Sequence, residues 1–257
     1  MQLVYIAEPK FNGRTSVKRP QNDAFRPQLP ETLPLQSHAN EEELRQLIEK
    51  YSPQLIPERR TKLLECAARR TAHYHLVLED LTDPHNISAI IRSCEVFGLL
   101  HVHIIEEVQS YSVSPSILRG SLKWMHIHTY KNRLTCMQTL RNQGFRIAVA
   151  STHAQQTFAE LDLKPKTAFY MGSELVGNHP DTVQGADVLF KIPQYGLTES
   201  LNVSVCAGVM LAQLDNYMTQ QDRNKFCLQG SELLALQATY LMRSATDIPL
   251  SQCLDRH

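Results

Sequence analysis

The chain has 257 residues, 42% of them hydrophobic and 20% charged, with 26 Lys and Arg balancing 26 Asp and Glu. That length suffices for a full core, with one domain plus an appendage as the expected organisation. No apolar run reaches the roughly 18 residues of a membrane span, and the opening MQLVYIAEPKFNGR lacks the basic start and long apolar stretch of a secretory signal. Cysteines at positions 66, 94, 136, 206, 227 and 253 form no CxxC pair. Reduced, mostly buried thiols and a cytoplasmic protein are expected.

Residues 1–40 carry Pro9, Pro20, Pro27, Pro30 and Pro34 with little periodicity, and read as an extended arm. Asn40 can cap a helix whose first turn holds Glu41, Glu42 and Glu43, with Leu44, Leu47 and Ile48 on one face. Pro53 and Pro57 break it. A second helix over 58–70 sets Leu63, Leu64, Ala67 and Ala68 opposite Arg59, Arg60, Lys62, Arg69 and Arg70. Strands and helices then alternate, as a parallel α/β sheet requires. The expected strands are 75–81, 101–105, 146–151, 168–172 and 188–192. The expected helices are 88–97, 133–142, 176–184 and 201–217, and a Leu-rich helix over 231–244 ends the chain. The helix over 201–217 is so apolar that it must pack on the sheet or at a subunit interface. The organisation expected is a helical extension over 1–70, a core over 71–220 and a helical tail over 221–257.

Chemistry concentrates in three segments: LEDLTDPHNISAIIRSCEVFG, YMGSELVGN and KIPQYGLTESLNVSVCAGVML. Each sets a polar loop at the end of an apolar strand, where open α/β sheets form ligand sites. Asn86 is a helix cap or a positioned polar group. Arg92, amid Ile90, Ile91 and Cys94, needs either a structural ion pair or an anionic ligand. Gly172 suits a tight turn or a close backbone approach to a ligand. Glu174 and Ser200 can serve as helix-start residues, or as site residues with Asn202. The pairs His73/His75, His101/His103 and His126/His128 each point to one side of a strand. Lacking acidic or cysteine partners at ligand spacing, they are expected to be solvent-facing or core-edge rather than metal-bound. No GxGxxG follows any strand, which argues against a dinucleotide enzyme.

Taken together, Pro84-His85-Asn86-Ile87-Ser88-Ala89-Ile90-Ile91-Arg92, Met171-Gly172-Ser173-Glu174 with Gly177, and Ser200-Leu201-Asn202-Val203-Ser204 resemble the SpoU/TrmH family of RNA ribose 2'-O-methyltransferases of the SPOUT superfamily. The similarity spans residues 59–217 and includes Gly120-Ser121-Leu122-Lys123-Trp124. It implies an α/β fold, a parallel sheet with helices on both faces and a deep C-terminal trefoil knot. It also implies S-adenosylmethionine as methyl donor, held by Met171, Gly172, Ile192, Pro193 and Leu201. Arg92, Asn86, Glu174, Asn202 and Ser200 would form the catalytic set, with no metal. Arg92 is the family's catalytic arginine. With a guanidinium pKa above about 12 it is better suited to bind phosphate and stabilise a developing alkoxide than to act as an ordinary base. Related enzymes are homodimers with sites at the subunit interface.

Zero net charge is unusual for an RNA enzyme. Its distribution is uneven: residues 1–70 carry 12 Lys and Arg against 9 Asp and Glu, residues 71–220 carry 10 against 13, and the remainder balance at 4 each. Arg59, Arg60, Lys62, Arg69 and Arg70, with Lys123, are the expected RNA contacts. Asp83 occupies a place that is often basic or variable in tRNA-modifying members. The basic run leading into the first motif looks most like the type that modifies a D-loop guanosine in tRNA. Ribosomal RNA methylation, a non-catalytic RNA-binding protein on the same fold, and an unrelated small-molecule α/β enzyme are the alternatives.

Overall fold

In the computed structural model, residues 40–108, 110–173, 176–197 and 200–246 are described. The proline-bearing arm, Glu174, Glu199 and Cys253 lie outside them. Asn40 starts α1 (Glu41–Tyr51) through a capping box in which its side chain accepts from Glu43 N at 2.9 Å and Glu43 accepts from Asn40 N at 3.0 Å. Pro57 opens α2 (Pro57–Ala68) at a first-turn position, where a missing N–H costs nothing. The core then runs β1 (Tyr74–Glu79), α3 (Pro84–Phe97), β2 (His101–Ile105), α4 (Pro115–Leu118), β3 (His126–Tyr130), α5 (Arg133–Asn142), β4 (Arg146–Ala150), β5 (Thr167–Met171), α6 (Pro180–Gln184), β6 (Val188–Phe190) and α7 (Val203–Gln220), followed by α8 (Gly230–Ala245).

Among the described residues, six strands form one sheet in the order β3-β2-β1-β5-β4-β6, every neighbouring pair parallel. Alternating side chains send Leu76, Leu78, Val102 and Ile104 to one face, where Ile87 and Ile90 of α3 and Ala207, Met210 and Leu214 of α7 bury them. Val77, Ile147, Val149 and Tyr170 go to the other face, under Cys136, Met137 and Leu140 of α5. Helices thus cover both faces, as a parallel sheet demands. The helices on either side of the core form one cap. Leu44 of α1 packs with Ala235 and Ala238 of α8, and Leu63 and Ala67 of α2 pack with Leu236, Tyr240 and Leu241. Sequence positions 41–68 and 230–245 are therefore one spatial unit rather than two appendages. No helix among the described residues is long and apolar enough to cross a membrane.

Several boundaries differ from expectation for local reasons. The first strand stops at Glu79 because Asp80 turns left-handed at φ 48°. The helix expected over 176–184 shrinks to α6, since Gly177 at φ 71° still belongs to a turn and Pro180 supplies the helix start. Strand β3 was marked only by the alternation of His126 and His128 and not by apolar periodicity: in HIHTY only Ile127 faces the main core. Cys94 and Cys136 are buried, Cys206 and Cys227 half-buried and Cys66 exposed, all with free thiols.

The histidines of β1–β3 form a single array at the edge of the core. Pairing sets His101 beside His126 and His103 beside His128, with His75 one strand over. His103 Nε2 lies 2.9 Å from His75 Nδ1, and His101 Nδ1 lies 3.0 Å from His128 Nε2. Rings stack at 4.4 Å (His75 on His101) and 4.5 Å (His103 on His128), and Phe145 closes against His75 at 4.1 Å. Each nitrogen pair needs one donor and one acceptor, which two neutral rings of suitable tautomer supply. Burial, reinforced by the neighbouring imidazoles, pushes His75 and burial with Arg243 nearby pushes His126 down to about 3, and holds His101 and His103 well below the usual range. The unfolded chain takes up these protons near pH 6.5, before the folded one does. Stability is therefore complete above that pH and falls as pH drops towards 3, at up to about 1.4 kcal/mol per pH unit for each imidazole. Urea unfolding between pH 7 and pH 4.5 is expected to show this decline, and His75→Phe is expected to reduce its slope. An unchanged slope in the variant would contradict the account.

Candidate active site

The ends of β4, β5 and β6 open on a cleft of about 1180 Å³. Ser151, Thr152 and His153 line it from β4, Met171, Gly172 and Ser173 from β5, and Lys191 to Tyr195 from β6. Ser200, Leu201, Val203 and Cys206 close it where α7 begins. All five residues expected to hold the donor therefore line one cleft. The sequence reading missed Ser151–His153, although the same signal marked them: a polar loop directly after an apolar strand.

Gly172 is required by the loop itself. The turn after β5 folds back so that Ser173 N donates to Gly177 O at 3.1 Å and Gly177 N to Ser173 O at 2.9 Å. A Cβ on Gly172 would stand 2.1 Å from the carbonyl carbon of Gly177 and 2.2 Å from Asn178 N. The close approach expected of Gly172 is thus to its own chain. Glu174 lies in the part of this turn outside the described residues.

The first motif starts one turn earlier than expected. Asp83, not Asn86, caps α3, accepting from His85 N at 2.9 Å with Pro84 at the first helical position. A carboxylate at Asp83 therefore has a local structural role. Asn86, inside the first turn and largely buried, accepts a hydrogen bond at its Oδ1 from Asn202 Nδ2 at 3.1 Å. Asn202 in turn caps α7, its Oδ1 accepting from Ser204 N at 2.9 Å and from Ser204 Oγ at 2.6 Å. Ser200 is exposed on the cleft rim and is not the cap. Ser88 Oγ donates to Pro84 O at 2.6 Å and accepts from Ser114 N at 2.7 Å, tying the segment before α4 to α3.

Arg92 points away from the core face that carries Ile87, Ile90, Ile91 and Cys94. It is exposed and makes no hydrogen bond or ion pair with the described residues, so the structural ion pair is not formed. It does not line the cleft of its own chain. On the same helix one turn on stands Val96, 68% exposed, and α7, which packs against α3, exposes Val205 by 50%.

Of the basic run, Arg59, Lys62 and Arg69 are exposed and Arg60 is half-buried. Arg70 is a correction. It is only 2% exposed, donating to Glu95 O and to Glu95 Oε1 at 2.5 Å each, and belongs to the packing between α2 and α3 rather than to an RNA surface. The cause is local: α2 ends at Ala68, so Arg70 leaves the helical face of its neighbours and turns inward. Trp124 packs edge-on against Tyr240 at 5.0 Å, while Arg59 and Lys123 approach its ring at 5.5 and 5.4 Å. The extension and the core thus share one basic-aromatic patch. No group of three or more His, Cys, Asp or Glu among the described residues is arranged to hold a metal.

Comparison with known proteins agrees with this geometry. The SpoU rRNA Methylase family model matches residues 73–212. A tRNA (guanosine(18)-2'-O)-methyltransferase of Borreliella burgdorferi is 32% identical over 161 residues, covering 62% of this chain and 74% of that protein. The crystal structure of the Aquifex aeolicus TrmH/SpoU tRNA modifying enzyme superposes with a TM-score of 0.67 at 27% identity, covering 73% of this chain and 96% of that one. The SpoU methyltransferase AviRb from Streptomyces viridochromogenes, solved in complex with AdoMet, shares the fold at 21% identity and a TM-score of 0.52, over 58% of this chain and 59% of its own. The motif-bearing core and more than half the chain are matched, and the chain belongs to the SpoU family of RNA ribose 2'-O-methyltransferases.

Proposed function

We propose that this chain transfers a methyl group from S-adenosylmethionine to the 2'-hydroxyl of a D-loop guanosine in tRNA. The observation that carries the substrate class is the match to tRNA (guanosine(18)-2'-O)-methyltransferases over three quarters of their length. The core over 71–220, with the family's trefoil knot, is the catalytic unit, and the helical cap built from the helices on either side of the core carries RNA.

The cleft suits the donor. Met171, Ile192, Leu201 and Val203 offer apolar surface, and backbone groups at Gly172 and Ile192–Pro193 can meet a nucleoside and a charged amino-acid tail. The donor supplies an electrophilic methyl carbon on a sulfonium. The ribose 2'-oxygen forms a bond to that carbon as the carbon–sulfur bond breaks, and the hydroxyl proton is released. Arg92 binds the adjoining phosphate and stabilises the charge growing on the 2'-oxygen, while Asn86 and Asn202 hold the two motifs in register. Glu174 and Ser200 complete the catalytic set. Holding the oxygen in line supplies much of the acceleration. Arg59, Arg60, Lys62, Arg69 and Lys123 contact the RNA backbone, with Trp124 beneath Arg59 and Lys123.

Arg92 stands outside its own chain's cleft, on a helix pair, α3 and α7, whose surface also exposes Val96 and Val205. A homodimer joined through α3 and α7 covers that surface and brings Arg92 to the partner's cleft. Val205→Glu is expected to convert the dimer into monomer by sedimentation and to abolish transfer. A dimeric, active variant would contradict this arrangement.

Labelled methyl transfer to unmodified total tRNA and to ribosomal RNA tests the function. Transfer to tRNA is expected, with Arg92→Ala lowering kcat by about a thousandfold, the size of one lost charge-stabilising contact, while donor binding persists. Transfer confined to ribosomal RNA would replace the substrate, and absence of donor binding would overturn the enzymatic reading.

A further inference from the structure

The buried carboxylate of Glu79 has no place in the chemistry above, yet it reaches the donor wall. Glu79 is the last residue of β1, 2% exposed, on the sheet face opposite α3 and α7. Its Oε1 accepts from Thr182 Oγ1 at 2.8 Å, and its Oε2 accepts from His179 N at 3.3 Å. Thr182 is fully buried in α6, and His179 is that helix's cap. Arg133 Nε lies 3.1 Å from Glu79 Oε1 and 3.2 Å from Glu107 Oε2, so one guanidinium is shared by the two carboxylates, and burial raises the Glu79 pKa.

The segment that Glu79 grips is one side of the cleft: Val176, Gly177, Asn178, Pro180 and Val183 all line it. It has few other anchors. Asn178 Nδ2 donates to Ala150 O at 2.9 Å, and the Ser173–Gly177 bridge closes the turn before it. Helix α6 spans only Pro180–Gln184, too short to hold itself in place. A carboxylate from the centre of the sheet therefore fixes where this wall stands.

We propose that Glu79, acting through Thr182 and the His179 backbone, is a positioning residue for the methyl donor. This rests on the donor site proposed above. It also makes β1 serve both substrates: its end holds the donor wall through Glu79, and the loop that follows it leads into the motif with Asn86 and Arg92.

Binding of S-adenosylhomocysteine to the full chain, measured by calorimetry without RNA, tests the assignment. Glu79→Gln removes the charge while Glu107 and Asp80 remain beside Arg133. Thr182→Val removes only a hydroxyl, and Thr182→Ser restores it. Glu79→Gln and Thr182→Val are each expected to weaken binding about tenfold, a modest misplacement of one wall, with Thr182→Ser close to wild type. In turnover the donor KM is expected to rise while the RNA KM stays unchanged. Leu241→Ala, in the helical cap, lowers stability without touching the wall and is expected to keep wild-type affinity. Unchanged affinity in Glu79→Gln and Thr182→Val, or an equal loss in Leu241→Ala, would overturn the inference alone. Failure of the wild type to bind S-adenosylhomocysteine would overturn the donor site and this inference with it.

Discussion

One side-chain hydrogen bond, from Asn202 Nδ2 to Asn86 Oδ1, joins the starts of two helices through residues 116 apart in the chain. Both amide groups have settled orientations, because Asn202 Oδ1 is already committed to capping α7. An aspartate at 202 keeps the cap and loses the donor; an alanine loses both. Capping alone stabilises by about 1 kcal/mol and a neutral hydrogen bond by a similar amount. The consequence is larger than the energy, since the register of α3 against α7 decides where Arg92 stands relative to the cleft. The apolar packing of Ile87 and Ile90 against Ala207 and Met210 supplies the bulk of the adhesion between these helices, but apolar contacts tolerate sliding more readily than a hydrogen bond does.

The sheet divides its labour by face. The face under α3 and α7 is apolar and carries the helices that start at the site. The opposite face holds the imidazole array near the start of the strands, and at their ends a charged group built on Glu79, Arg133 and Glu107. The first is linked ring to ring through its nitrogens, and in the second Arg133 stands between the Glu79 and Glu107 carboxylates. Such networks define a single arrangement more sharply than they add stability. Here the charged one lies directly behind the side of the cleft formed by Val176 to Val183.

Much of the site was legible before any coordinates. Apolar strands followed by polar loops marked the strand ends that form the cleft, because alternation of strand and helix forces such loops to one edge of a parallel sheet; Met171, Gly172, Ile192, Pro193 and Leu201 were singled out by the family resemblance, and all five line that cleft. What was not legible depended on contacts between distant segments. Of the two readings of Asn86, cap or positioned polar group, the cap falls to Asp83 before Pro84, four residues ahead of the expected helix start, and the bond to Asn202 spans too much sequence to be read locally. Arg70 read as one of a basic run because nothing local announces that α2 stops two residues earlier. Strand β3 showed only in the alternation of its histidines, which count as polar in a sequence and here fill the edge of a core. Glu79 gave no local sign either, since Thr182 is 103 residues away.

The most direct test of the account is the crystal structure of the chain with S-adenosylhomocysteine. The account predicts the ligand in the cleft, in contact with the Met171–Gly172 and Ile192–Pro193 backbone and with Leu201, and Arg92 of a second copy at its open side. Ligand bound elsewhere on the sheet, or in this cleft with no second copy nearby, would contradict it.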